Sequence, residues 1–211
     1  VIPRLHVVTD DEILARPDFE TQARDVCEAS ALDVGHMAFH LRGPRTVGRR
    51  LTQLARILHE PAATWGVRLL LNDRLDVALA VGAAGAHLGA GSLPPDQARR
   101  LLGPRRLLGV SVHSPNEAVR AAESRVDYLF VGTLFETPSH PGVTVGGARL
   151  MSSVASRVDL PLVGIGGVTP ERATQVVASG GYGVAVMRGI WDAPSPPDAV
   201  RAYLDALERM I

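Results

Sequence analysis

Pro161-Leu-Val-Gly-Ile-Gly-Gly-Val-Thr-Pro170 decides the fold class of this chain, together with Gly181-Tyr-Gly-Val-Ala-Val-Met-Arg-Gly-Ile190 one helix length later. Each holds a short apolar run of the kind buried in a parallel sheet, ending in glycine. Glycine lets backbone N–H groups come close to an anion. Two such strand ends side by side are how a (β/α)8 barrel holds a phosphate, with the loops after strands 7 and 8 supplying the amides. The reading expects Gly166, Gly167 and Gly189 in that role, reinforced by Arg188, and therefore a small phosphorylated ligand. The plainer alternative is a pair of tight strand-to-helix turns.

Outward from this stretch the same alternation runs through the whole chain. Apolar runs near 5–9, 37–42, 67–71, 85–88, 107–112, 127–131, 161–165 and 183–187 read as buried strands. Helical patterns lie near 19–31, 47–60, 74–82, 94–102, 115–123, 147–157, 170–179 and 196–209. Ser92-Leu-Pro-Pro, Ser114-Pro and Thr169-Pro each place a capping hydroxyl before a helix-opening proline. Gly82, Gly103 and Gly180 follow helix ends, where a left-handed residue is wanted. Asp76–Gly89 and Ala173–Val186 repeat one pattern of helix, glycine, small residue, glycine and strand. Eight regular units in 211 residues close into one α/β domain, a single (β/α)8 TIM barrel over 1–211, more naturally than they form an open sheet.

Composition narrows the function. The formal net charge is zero, which gives no electrostatic footprint for nucleic acid. No apolar run approaches the roughly 18 residues of a membrane span. The only cysteine, Cys27, permits neither a disulfide nor a thiolate metal site and is expected to pack on a helix. With no signal peptide visible, a reducing, cytoplasmic setting is expected. There is no lysine; all 22 basic residues are arginine. That removes Schiff-base chemistry and a Walker-type phosphate loop. Phosphate must be held by backbone amides and arginine.

Catalytic groups of such barrels lie at the C-terminal ends of the strands. The candidates are Thr9-Asp10-Asp11, His40-Leu-Arg42, Asn72-Asp73-Arg74, His87, Ser111-Val-His113-Ser114 and Gly132-Thr133. The long segment 134–147 after strand 6 reads as a mobile lid carrying Glu136 and His140. His6, His36 and His59 read as structural or surface residues. His87 either satisfies its ring in the core or orients another group. Asp73 either orients a histidine or caps the helix that follows it.

Leu5-His-Val-Val-Thr-Asp, Leu71-Asn-Asp-Arg-Leu-Asp, His87-Leu-Gly, Ser111-Val-His-Ser, Leu134-Phe-Glu-Thr, Ile165-Gly-Gly-Val-Thr-Pro and Gly183-Val-Ala-Val-Met stand in order along the chain. In these blocks the chain resembles the thiamin phosphate synthase superfamily of phosphate-binding barrels. The resemblance implies one of two activities. A synthase joins a pyrimidine diphosphate to a thiazole phosphate with Mg²⁺. A thiazole tautomerase shifts a proton to aromatise a carboxythiazole phosphate without metal. The synthase pattern Gln-x-Arg-x-Lys is here His40-Leu-Arg42-Gly-Pro44, its second metal-ligand aspartate is Ser92, and its loop lysine is His140. Diphosphate departure usually needs Mg²⁺ or fixed cations, so the expectation is the tautomerase: a metal-free, cofactor-free isomerase. The alternatives are a divergent synthase and a non-catalytic thiamin-phosphate-binding regulatory barrel. Where the tautomerase branch has its acid–base histidine this chain has Thr133. His113 is therefore the first candidate for the proton carrier, with His140 and His40 behind it. Arg42, with Asn72 and Asp73, is expected to meet the substrate carboxylate and ring; for Arg42 an ion pair with Asp10 or Asp73 is the alternative. The resemblance and the apolar outer helices also suggest a homodimer.

Overall fold

The eight apolar runs form eight parallel strands in a computed structural model, which describes residues 1–31, 35–137 and 145–209. They are β1 (Leu5–Val8), β2 (Met37–Leu41), β3 (Arg68–Asn72), β4 (Gly85–Leu88), β5 (Leu107–Val112), β6 (Tyr128–Val131), β7 (Leu162–Ile165) and β8 (Gly183–Val186). Each pairs with its neighbours in sequence, and β8 pairs with β1, so the sheet closes into a barrel. Around it lie α1 (Asp11–Leu14), α2 (Phe19–Glu28), α3 (Gly48–Thr64), α4 (Leu75–Val81), α5 (Pro95–Leu102), α6 (Pro115–Ala122), α7 (Gly147–Ala155), α8 (Pro170–Ala178), α9 (Arg188–Trp191) and α10 (Pro196–Glu208). The sequence reading contains neither α1 nor α9. A single turn is too short to show a 3.6-residue period.

The two-residue period of the strands divides the core in two. Leu5, Val7, Phe39, Leu41, Leu69 and Leu71 belong to the cluster packed against the helices, together with Trp191 and Tyr203. Val8, Ala38, Leu70, Tyr128, Phe130, Val163 and Ala185 fill the barrel interior. His6, His40 and His87 are buried there as well. Small residues make room for the large rings: a Cβ on Gly109 would lie 2.1 Å from the Tyr128 ring.

Two of the three expected caps form: Ser114 and Thr169 accept the backbone N–H groups of Glu117 and Arg172, and Ser195 caps α10 in the same way through Asp198 N–H. Ser92 does not cap. The residue before α5 is Pro94, with no side-chain cap, and the Ser92 hydroxyl is spent elsewhere.

The seam between β8 and β1 is stitched by side chains from both ends of the sequence. Arg4 donates to the carbonyls of Tyr182 (3.1 Å) and Leu207 (2.8 Å). The Trp191 indole N–H donates to Val8 O (2.9 Å), and Arg16 Nη1 donates to Trp191 O (2.5 Å). Among the described residues no helix is long and apolar enough to cross a membrane.

Candidate active site

The mouth of the barrel, at the C-terminal strand ends, falls into three arcs. On the first, β3 delivers Asn72 and Asp73. Asp73 has φ 62°, in the left-handed region that costs a residue with a Cβ roughly 1–3 kcal/mol and concentrates at functional sites. Its Oδ1 accepts the Gly89 N–H (2.8 Å) and the Ser92 hydroxyl. So Asp73 does not cap α4, whose N-cap is Arg74. It is held by the loop after β4 instead. Arg42 follows β2, its backbone fixed on both sides by the Thr9 hydroxyl (2.9 Å each). Its guanidinium makes no ion pair among the described residues. Neither alternative partner takes it: Asp10 pairs with Arg188 at 2.7 Å, and Asp73 is engaged by Ser92 and Gly89.

The second arc follows β5 and β6. His113 is exposed one residue past β5, and its Nδ1–H donates to Gly132 O at 2.6 Å. Its backbone N–H donates to the Glu117 carboxylate (2.8 Å). Thr133 is half-buried, and the segment after it is laced to β7: Leu134 N–H donates to Ile165 O (2.9 Å) and Phe135 N–H to Gly166 O (3.0 Å). His140 lies outside the described residues.

The third arc contains the glycine corners. Gly166 (φ 100°) and Gly167 (φ 60°) both sit where side chains are strained. A Cβ on Gly166 would come within 2.5 Å of Thr133 Cγ2, and one on Gly167 within 2.3 Å of Glu136 O. Both remain half-exposed, and Gly189, in the first turn of α9, is exposed. The first N–H groups of that turn have no intrahelical acceptor. Arg188 departs from the role expected of it. It pairs with Asp10, with Glu12 (2.5 Å) and with Asp192 (3.7 Å), which engages the cation in carboxylates.

His40 also departs from expectation. It is fully buried below the mouth, and both ring nitrogens are taken, Nε2 by His6 Nδ1 (2.8 Å) and Nδ1 by the Asn72 amide (3.1 Å). Burial pushes it down to about 4. His6 is held well below its ordinary value by burial and by His40. His87 is lowered by burial, then by its histidine neighbours and Arg42. The His87 ring spans Tyr128 OH (3.2 Å) and Ser111 Oγ (2.9 Å). These rings are neutral near pH 7, with no free nitrogen for a substrate. Cys27 is buried on α2, its thiol pushed up to about 12 by burial, so no thiolate is on hand.

Sequence reasoning left Ser92 out of the site because a serine stands where the resemblance has a metal-ligand aspartate; its contact with Asp73 is visible only in the fold. For His6 it left structural and surface readings open, and the structure buries the ring. Period-2 alternation with Val8 points His6 inward and would have found it. Among the described residues no three His, Cys, Asp or Glu side chains gather as a metal site.

A family described as thiamine monophosphate synthase matches residues 5–190. A thiamine-phosphate synthase of Roseiflexus castenholzii is 41% identical over 203 residues, covering 95% of this chain and 86% of the relative. One of Methanoculleus marisnigri is 38% identical over 204 residues, covering 96% and 94%. The solved thiamine phosphate pyrophosphorylase of Pyrococcus furiosus superposes with a TM-score of 0.85 at 27% identity, covering 99% of this chain and 96% of that one. These relatives carry the name of a transferase, and the expectation of a tautomerase, an isomerase, is corrected on that ground. The Ser92 hydroxyl, where the resemblance has an aspartate, is hydrogen-bonded to Asp73. By sequence along nearly its whole length, and by the barrel that sequence builds, the chain belongs to the thiamine monophosphate synthase family.

Proposed function

We propose that this chain is a thiamine-phosphate synthase, joining a pyrimidine diphosphate to a thiazole phosphate with release of diphosphate. The observation that carries the reading is the division of the barrel mouth into two anion-seeking sides. β3 and β7 stand four places apart in a ring of eight, so Asp73 and the Gly166–Gly167 corner lie on opposite sides of it. A single phosphorylated substrate needs one such side; coupling two needs both.

On the glycine side, the amides of Gly166, Gly167 and Gly189 take the monoester of the thiazole substrate. On the other side, Arg42 is free of carboxylates among the described residues, and a guanidinium matches phosphate oxygens bidentately. The family relation implies Mg²⁺, and the donors fit it: the Asp73 carboxylate and the Ser92 hydroxyl are hard oxygens in contact, and Mg²⁺ sites commonly pair one or two carboxylates with substrate phosphates. Bound there, Mg²⁺ would offset the charge that builds on the departing diphosphate. Asn72 lines the floor beside Asp73, and Thr133 backs the glycine corner. Displacement of diphosphate by a thiazole ring nitrogen takes no proton from carbon, so neither His113 nor His40 is needed as a base. His113 instead ties the end of β5 to the start of the β6 loop through Gly132 O.

The test is direct. Purified protein incubated with pyrimidine diphosphate, thiazole phosphate and Mg²⁺ should form thiamin phosphate and diphosphate, and EDTA should stop it. Absence of product at saturating substrates, with the protein folded, would refute the reading.

A further inference from the structure

The barrel interior contains a continuous polar line that the proposed reaction does not use. It runs from Pro3 O to His6 Nε2 (3.0 Å), from His6 Nδ1 to His40 Nε2 (2.8 Å), and from His40 Nδ1 to the Asn72 amide (3.1 Å). Both rings are fully buried, His6 against Tyr128 and Phe130, and His40 against Phe130 and His87. Among the described residues no carboxylate is hydrogen-bonded to either ring.

Donor and acceptor roles propagate along this line from its lower end. The Pro3 carbonyl can only accept, so His6 Nε2 carries a proton. A neutral His6 then has an unprotonated Nδ1, which can only accept. His40 Nε2 must therefore be the donor in the ring–ring bond. A neutral His40 is left with an unprotonated Nδ1 facing Asn72, and only the NH2 end of an amide can donate to it. The structure places Asn72 Oδ1 at 3.1 Å from His40 Nδ1; a half-turn of the amide exchanges its oxygen and nitrogen without moving the rest of the side chain, and the donor order requires that turned amide, with its NH2 toward His40. The opposite order would set His6 Nε2 lone pair to lone pair against Pro3 O, or require a charged ring among apolar walls.

We propose that His6 and His40 act as positioning residues, a pair of locked tautomers that turn Asn72 so that its carbonyl oxygen, not its NH2, faces the barrel mouth. Asn72 then presents an acceptor, suited to an N–H donor on a heterocyclic substrate and unfavourable to a phosphate oxygen. The selectivity clause rests on the synthase reading; the orientation does not.

Long-range ¹H–¹⁵N correlation spectra of the ¹⁵N-histidine-labelled protein at pH 7.5 read the tautomers directly. Both His6 and His40 should be protonated on Nε2 alone. In His6→Phe the His40 proton should move to Nδ1, because its upper partner is then the only one left, and in His6→Gln it should return to Nε2. A merely space-filling His6 would leave the tautomer of His40 unmoved. Should His6→Phe not fold, Asn72→Asp tests the line from the other end: a carboxylate can only accept from Nδ1 while Nε2 still donates to His6, so His40 should carry a proton on both nitrogens, and a neutral His40 with a bare Nδ1 would overturn the order. Nδ1 protonation of His40 in the unmodified protein, or a cationic His6, would overturn the proposal. Locked Nε2–H tautomers in a protein without synthase activity would sink the proposed function and leave the relay standing.

Discussion

Acidification from pH 7 to pH 5 sets three buried imidazoles against the fold. In the unfolded chain His6, His40 and His87 titrate near 6.5; in the barrel burial holds all three lower, His40 at about 4. Their neutral-state stabilisation is complete above pH 6.5 and is lost as the pH falls, because the unfolded chain binds protons that the folded one refuses. With all three rings neutral in the fold down to pH 5, proton uptake by the unfolded chain gives at most about 1.9 kcal/mol per ring between pH 7 and pH 5, an upper bound of about 6 kcal/mol for three. That is comparable with the whole stability of a typical domain, roughly 5–15 kcal/mol. The shifted acidic groups add little in this window, since Asp11, Asp76, Glu171 and Asp198 all titrate below the ordinary carboxylate value. Urea unfolding at pH 5, 6 and 7, followed by fluorescence of the buried Trp191, measures the loss. His87→Gln should remove about one third of it, close to 2 kcal/mol of the pH 7-to-5 difference. A total change below about 2 kcal/mol would show that the rings are charged in the folded protein, and the reasoning would fall.

Other expectations concern the site. Ser92→Ala removes the hydroxyl seated on Asp73 and should weaken Mg²⁺ activation about 10- to 100-fold with little change in melting temperature; an unchanged Mg²⁺ titration would count against the metal assignment. Arg42→Ala should raise KM for the pyrimidine diphosphate at least about 10-fold, the loss of one charge-assisted contact, and leave KM for the thiazole phosphate nearly unaltered. Equal effects on both substrates would contradict the two-sided mouth. Gly167→Ala places a Cβ 2.3 Å from Glu136 O at φ 60°, so it should cost roughly 1–3 kcal/mol of stability and most of the thiazole phosphate binding; intact binding in calorimetry would argue that the glycine corner is only a turn.

The barrel itself was legible because β7 and β8, like the other strands, are apolar runs bounded by glycine and capping signals, and these are local properties. Ser114 and Thr169 cap as their sequences indicate for the same reason. Partner choice across the mouth was not legible. Ser92 lies nineteen residues from Asp73, and Arg188 meets Asp10 and Glu12 only because the ring closes. His40 reads as a strand-end group since it aligns with Arg42, yet one step of two residues along a strand is enough to sink it beneath the floor. The expected activity was overturned by the names of the relatives and not by the site, where the carboxylate missing at position 92 had carried the tautomerase reading.

The stitched seam has a consequence for the nascent chain. Arg4 finds its acceptors at Tyr182 and Leu207, and β1 finds its second neighbour in β8, which begins at Gly183. A ribosome adding about 5–20 residues per second therefore leaves one edge of β1 bare for roughly ten to forty seconds. Throughout that interval an apolar ribbon is open to any passing strand, and only emergence of the final quarter-turn of the ring retires the hazard.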